Sequence, residues 1–180
     1  KLIGQITKRC GQLSKDKIVL SIQDTTEINL SAHAGRVDKS SGLGGIDDSK
    51  GGIGFKLHPS FVLDASSCFP IGFSDIHIWN REPGMGDKHD REYTKLPIEQ
   101  KESYKWIQGS DRSKEVLSKA KAVIIVQDRE GDIFEQFAQV PDEKTFLLVR
   151  SRVNRKIADD ERLWDKLSEA TVMGQYELHL

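Results

Sequence analysis

Two aspartates stand where apolar runs give way to polar sequence: Asp24 closes KIVLSIQ (17–23) and Asp128 closes KAVIIVQ (121–127). Runs of this length and β-branched content predict buried strands. Each carboxylate then sits at a strand's carboxyl end, the edge at which open α/β sheets bind ligands. If the strands are neighbours, the carboxylates lie about one strand spacing apart, ~5 Å. They would offer oxygen donors to hard divalent cations, and a bound cation would relieve the repulsion between them. Two such cations roughly 4 Å apart activate a water and stabilise a leaving 3′-oxygen in phosphodiester cleavage. The structural alternative is that Asp24 caps its turn and Asp128 caps the helix that follows.

The rest of the chain must bring those two strand ends together. Leu2, Ile3, Ile6 and Leu13 give residues 1–13 a helical spacing. Residues 31–54 hold seven glycines among polar residues and are expected to be a long mobile loop. FKLHPSFVLD (55–64) and PIGFSDIHIW (70–79) predict two strands joined as a hairpin through a short turn. Pro59 within the first suggests a bulge or an edge position. Residues 80–100, with Pro83, Gly84, Gly86 and Pro97, read as loop. A helix is expected over 101–120, with Gly109 as a point of interruption, and a short one over 132–140, stopped by Pro141. TFLLVR (145–150) predicts another strand, 157–170 a helix around Leu163, Trp164 and Leu167, and QYELHL (175–180) a last strand. Three strands, then helix, strand, helix, strand describe a mixed five-stranded α/β sheet, antiparallel at first and then built from βαβ units, flanked by helices. This is the order of a ribonuclease H-like core.

Composition narrows the function classes. With 37% hydrophobic and 31% charged residues, the chain is an ordinary soluble mix, and no apolar run is long enough to span a membrane. Cys10 and Cys68 are too few for a disulfide framework, and the five histidines form no zinc-spaced cluster with them. No signal peptide is visible, and the chain opens KLIGQITKRC without Met, which reads as a segment of a longer protein. A net charge of -1 is not the basic balance of a self-sufficient DNA-binding domain. Contact with DNA would rest on local basic surface, of which Arg150, Arg152, Arg155 and Lys156 are the densest stretch.

The strings around the two aspartates are more specific than their positions. They are Gln23-Asp24-Thr25-Thr26-Glu27 and Asp128-Arg129-Glu130-Gly131-Asp132-Ile133-Phe134. Further strings are Lys56-Leu57-His58-Pro59-Ser60, Lys101-Glu102-Ser103-Tyr104-Lys105-Trp106 and the FLLVRSR stretch from Phe146 to Arg152. In this order, over residues 18 to 156, the sequence resembles the DDE transposases of bacterial insertion sequences, the cut-and-paste group with a Tyr-Arg-Glu-Lys signature. Those carry QDTT, VHS, KES-x-KW, DRE-x-DI and F-x-VRS strings. The resemblance implies a ribonuclease H-like fold, Mg²⁺ or Mn²⁺, nicking at transposon ends and strand transfer, with Asp24 and Asp128 as two of three catalytic metal ligands. It also implies double-stranded DNA (terminal repeats and target) as partner, a homodimer in the full-length complex, and a cytoplasmic, nucleoid-associated setting. The family's third ligand is the Glu of its Tyr-Arg-Glu-Lys string, which this sequence lacks; Tyr176-Glu177-Leu178-His179 does not match it. On this reading residues 1–13 lead in, 14–156 form an incomplete catalytic core, and 157–180 begin a mostly β insertion. The chain alone would not transpose.

Lesser residues have two readings each. Arg129 and Glu130 either support the metal site or a phosphate, or pair at a helix start. Asp132 reads as a helix cap or first-turn carboxylate. Arg150 and Arg152, on alternate strand positions, share a face that either contacts phosphates or is merely solvated. Lys101 and Lys105 open a helix or contact DNA, Trp79, Trp106 and Trp164 read as core, and His58 as a satisfied structural histidine. Asp47-Asp48-Ser49-Lys50-Gly51 lacks the ligand alternation of a calcium loop. Three other functions compete. A haloacid-dehalogenase-type phosphatase needs a second Asp where Thr26 stands. A transposase-derived domain would bind without cutting. A self-contained nuclease would use Glu161 or Glu169 as third ligand.

Overall fold

A computed structural model describes residues 1–36, 42–45, 52–80 and 95–174. The chain divides into two compact units, Lys1–Arg150 and Ser151–Leu180.

The first unit is an α/β structure around one mixed, open sheet. Its strands are β1 (Ile18–Gln23), β2 (Thr26–Asn29), β3 (Gly44–Gly45), β4 (Ile53–Asp64), β5 (Pro70–Trp79), β6 (Ala122–Gln127) and β7 (Thr145–Val149). β4 is the organiser: β5, β1, β2 and β3 all pair with it antiparallel. β6 then joins β1 in parallel, and β7 joins β6 in parallel. The main path is therefore β5-β4-β1-β6-β7. The parallel steps need crossovers, supplied by α2 (Tyr104–Val116) between β5 and β6 and α3 (Phe134–Gln139) between β6 and β7. α1 (Leu2–Leu13) packs against β5 and touches α2.

The β4–β5 hairpin forms as expected, and the described parts of the expected 31–54 loop include regular elements. Residues 26–29 pair with β4, Ser31–Arg36 form a 3-10 turn, and Gly44–Gly45 pair again with β4. Residues 37–41 and 46–51 lie outside the described residues, as do 81–94 and the expected strand at 175–180. Pro59 is not at a sheet edge. It sits inside the longest strand, opposite Ile76 on β5, with a bulge at the following step between Ser60 and Phe61. On the other side of β4, β1 pairs with residues 60–64 and β2 with 54–57. The missing N–H of Pro59 falls in the gap between them.

Gly109 does not interrupt its helix, which runs continuously through Val116. A Cβ there would sit 3.3 Å from both the Gln23 amide and the Ser60 hydroxyl. The glycine allows the helix to approach the sheet closely.

Side chains paired across the strands share a face. The face carrying Val19, Val62, Val123 and Ile125 meets Cys10 of α1, Leu117 just after α2 and Val140 just after α3, and these form the core. A second, polar layer lies beside it: the Ser21, Ser74 and Ser113 hydroxyls meet one another at 2.9 to 3.3 Å. The opposite face is apolar throughout its centre, carrying Leu20, Ile22, Phe61, Leu63, Ile124, Val126, Phe146 and Leu148. It is partly open to solvent, with Phe146 53% and Leu148 61% exposed.

In the second unit, α4 (Leu163–Glu169) follows a 3-10 turn at Ala158–Asp160, and Lys156 bridges to Arg162. The Trp164 amide donates to Asn154 Oδ1 at 2.8 Å. Trp164 is 51% exposed and not the core residue its sequence setting suggests, because α4 buries none of its residues.

Candidate active site

The two aspartates emerge from adjacent parallel strands. β1 and β6 run in register to Ile22 opposite Val126. At the next position the side-chain amides of Gln23 and Gln127 meet at 2.9 Å beneath α2. Gln127 also accepts from Gln136 of α3 at 3.0 Å, and Ser110 of α2 lies 3.2 Å from both Gln23 and Gln127. This buried amide layer fixes the two strand ends relative to each other. Asp24 and Asp128 are the next residue on each strand, and both are exposed.

Each carboxylate spends one oxygen locally. Asp24 Oδ1 accepts from the Thr25 amide at 2.7 Å. Asp128 Oδ1 accepts from the Glu130 amide at 2.7 Å and caps the 3-10 turn Arg129–Gly131. Capping therefore accounts for one oxygen of each, and the second oxygen of each makes no hydrogen bond among the described residues. Two exposed carboxylates on neighbouring strand ends suit Mg²⁺ or Mn²⁺, which one or two carboxylates bind together with waters and substrate phosphates. Among the described residues no group of three His, Cys, Asp or Glu is arranged to hold a metal.

The surroundings are cationic on one side. The Lys105 ammonium lies 4.0 Å from Glu130, 5.4 Å from the Trp79 ring centre and 5.7 Å from that of Trp106. Its side chain is only 10% exposed, so this cation is held beside the segment that follows Asp128. Glu130 thus pairs with Lys105 across elements and not with Arg129. Arg129 is exposed on its turn, and Lys101 is half-buried ahead of α2. Asp132 follows the 3-10 turn and precedes Ile133, the N-cap of α3, whose side chain makes no cap hydrogen bond; Asp132 is not the cap of that helix.

Arg150 and Arg152 do not share a strand face. β7 ends at Val149, and the two exposed arginines fall in different units. Glu161 and Glu169 belong to the second unit, where they line an open pocket of about 300 Å³ with Asp160, Asp165, Arg162 and Lys166.

His58 contacts the residue that follows Asp24. It is completely buried. Its Nδ1 lies 2.9 Å from Thr25 Oγ1 and its ring stands edge-on to Trp106 with centroids 4.7 Å apart. Among the described residues its Nε2 has no hydrogen-bond partner, so it is not fully satisfied there. Burial first, then the charges of Lys105 and His77, push its pKa down to about 3, against a smaller opposing effect of the Asp24 main chain. The imidazole is therefore neutral at neutral pH. Thr25, Gln23 and Gln127 were not legible as site residues; the only signal was their adjacency to the two aspartates.

Comparison with protein-family models and with curated protein sequences yields no match. Among the described residues, no helix is long and apolar enough to cross a membrane.

Proposed function

We propose that this chain is the ribonuclease H-like catalytic core of a DDE transposase, acting on the phosphodiester backbone of double-stranded DNA with Mg²⁺ or Mn²⁺. One observation carries the reading: Asp24 and Asp128 each stand one residue beyond the paired Gln layer of two neighbouring parallel strands. The strand order β5-β4-β1-β6-β7, antiparallel and then parallel, supports the ribonuclease H-like assignment.

Asp24 and Asp128 would hold the metal through the oxygens that local amides leave unused. When bound, it would supply an activated water and stabilise the leaving 3′-oxygen. The Gln23–Gln127 layer joins the two strand ends that carry the carboxylates, without placing a counter-charge beneath them. Lys105 would place positive charge beside a phosphate approaching the strand ends, and Arg129 and Arg150 are exposed for backbone contacts. On this reading Asp24 and Asp128 are two of the family's three ligands, and the chain by itself is expected to bind metal but not to transpose. Action as a homodimer on paired DNA ends is part of the same proposal. A second reading is a transposase-derived domain that binds DNA without cutting it, as the sequence carries no Tyr-Arg-Glu-Lys string.

The test is titration with Mn²⁺, followed by the spectroscopic signal of the free ion. Saturable binding is expected, lost in both Asp24→Asn and Asp128→Asn. Unchanged binding in either variant refutes the shared site.

A further inference from the structure

The interruption between β1 and β2 has a definite place in the register. β1 ends with Gln23 opposite Ser60, and β2 begins with Thr26 opposite Leu57. The pairing runs across the gap without a slip, so β1 and β2 are one line of chain broken only at Asp24–Thr25, directly across from Pro59 and His58. Proline has no N–H to give to a ladder, which accounts for the break. The break also frees Asp24, which would otherwise lie flat in a sheet.

A two-residue break invites fraying, because its backbone lies outside the ladders that β1 and β2 form with β4. Two interactions span it: the bond between His58 Nδ1 and Thr25 Oγ1, 2.9 Å, and that of the Asp24 main chain with the same imidazole. The imidazole is fixed from behind by the edge-on Trp106 ring of α2. Its other nitrogen is buried without a partner, which destabilises the fold. An apolar side chain of similar size would fill the same space without that penalty. What the imidazole adds is its bonding to Thr25 and to the Asp24 main chain.

We propose that His58 is a positioning residue for the Asp24 carboxylate, bridging through Thr25 the gap that Pro59 leaves in the ladder. This rests on the reading of Asp24 as a metal ligand. Residues that orient a ligand from behind typically alter metal affinity by 10–100-fold when removed.

The experiment compares Mn²⁺ affinity and melting temperature for the 180-residue chain and four variants: Asp24→Asn, His58→Leu, His58→Asn and Thr25→Val. Asp24→Asn should abolish saturable binding. Thr25→Val should weaken it about tenfold and His58→Leu at least as much, and combining them should weaken it no further than His58→Leu alone, since the histidine holds both contacts. His58→Asn places an amide at the position of Nδ1; it should melt lower, having lost the ring, yet bind Mn²⁺ like the original chain. That separation of affinity from melting is the signature of positioning. If Asp24→Asn abolishes binding while Thr25→Val leaves it intact, the positioning role is overturned and the metal site stands. Equal losses in His58→Asn and His58→Leu would also overturn it, reducing His58 to packing. If Asp24→Asn has no effect, the metal reading falls and this role falls with it. Should His58→Leu fail to fold, Thr25→Val decides the matter alone.

Discussion

Taking the chain from about pH 7.5 to about pH 5 should remove about 2 kcal/mol of folding stability through His58 alone. In the unfolded chain this imidazole takes up its proton near its ordinary value of 6.5, whereas in the fold burial holds it down to about 3. Between those values the unfolded state binds more protons, so stability rises with pH across the window and falls as the pH drops through it. At about pH 5 the unfolded histidine is protonated by a factor of roughly 30 over its neutral form, which corresponds to ~2 kcal/mol. Any folded value well below 5 gives the same loss, because the native ring is then still neutral. The side chain is completely buried, so solvent screening does not reduce the figure. Urea unfolding of the chain and of His58→Asn at both pH values isolates the effect: the pH-dependent loss should be about 2 kcal/mol smaller in the variant. Equal losses in the two proteins would show that the ring is not held neutral, and the geometry given for it would be wrong.

Two further outcomes follow from packing and burial. Gly131→Ala should destabilise by about 1–3 kcal/mol, an overpacking penalty, because the new Cβ would lie 2.4 Å from Gln127 Oε1 and 2.8 Å from its Cβ; chemical denaturation measures it, and an unchanged midpoint would refute the close approach. With a thiol reagent at neutral pH, the folded chain should react at exposed Cys68 and not at buried Cys10, whose pKa burial raises to about 11. Both should react in denaturant, and rapid labelling of Cys10 in the native state would contradict its place in the core.

The strands that carry the site were legible because their signal is local. The apolar runs around Val19 and Ile125 announce buried strands, and an aspartate after each marks the carboxyl edge. β2 was not legible: Thr26–Asn29 is polar and exposed, and it pairs only because the register on β4 continues past the break. Gly109 illustrates the opposite error. Its low helix propensity suggests an interruption, but the continuous helix depends on a close approach to Gln23 and Ser60 that only the tertiary structure reveals. Trp164 misleads for a similar reason, since an apolar helical spacing does not guarantee a surface to pack against. Pro59 was recognised as awkward for a strand, but its consequence for Asp24, far away in sequence, required the register.

The partly open sheet face bears on the solution behaviour of the polypeptide. Phe146 and Leu148 stand more than half exposed at its margin, with aliphatic and aromatic side chains inward of them. Contiguous apolar patches beyond a few hundred Å² are rare on soluble monomers. Such a surface takes up amphiphilic dyes, and the attraction between two of them strengthens on warming from the cold. Light scattering from this polypeptide should therefore depend on concentration and grow with temperature well before the sheet itself melts.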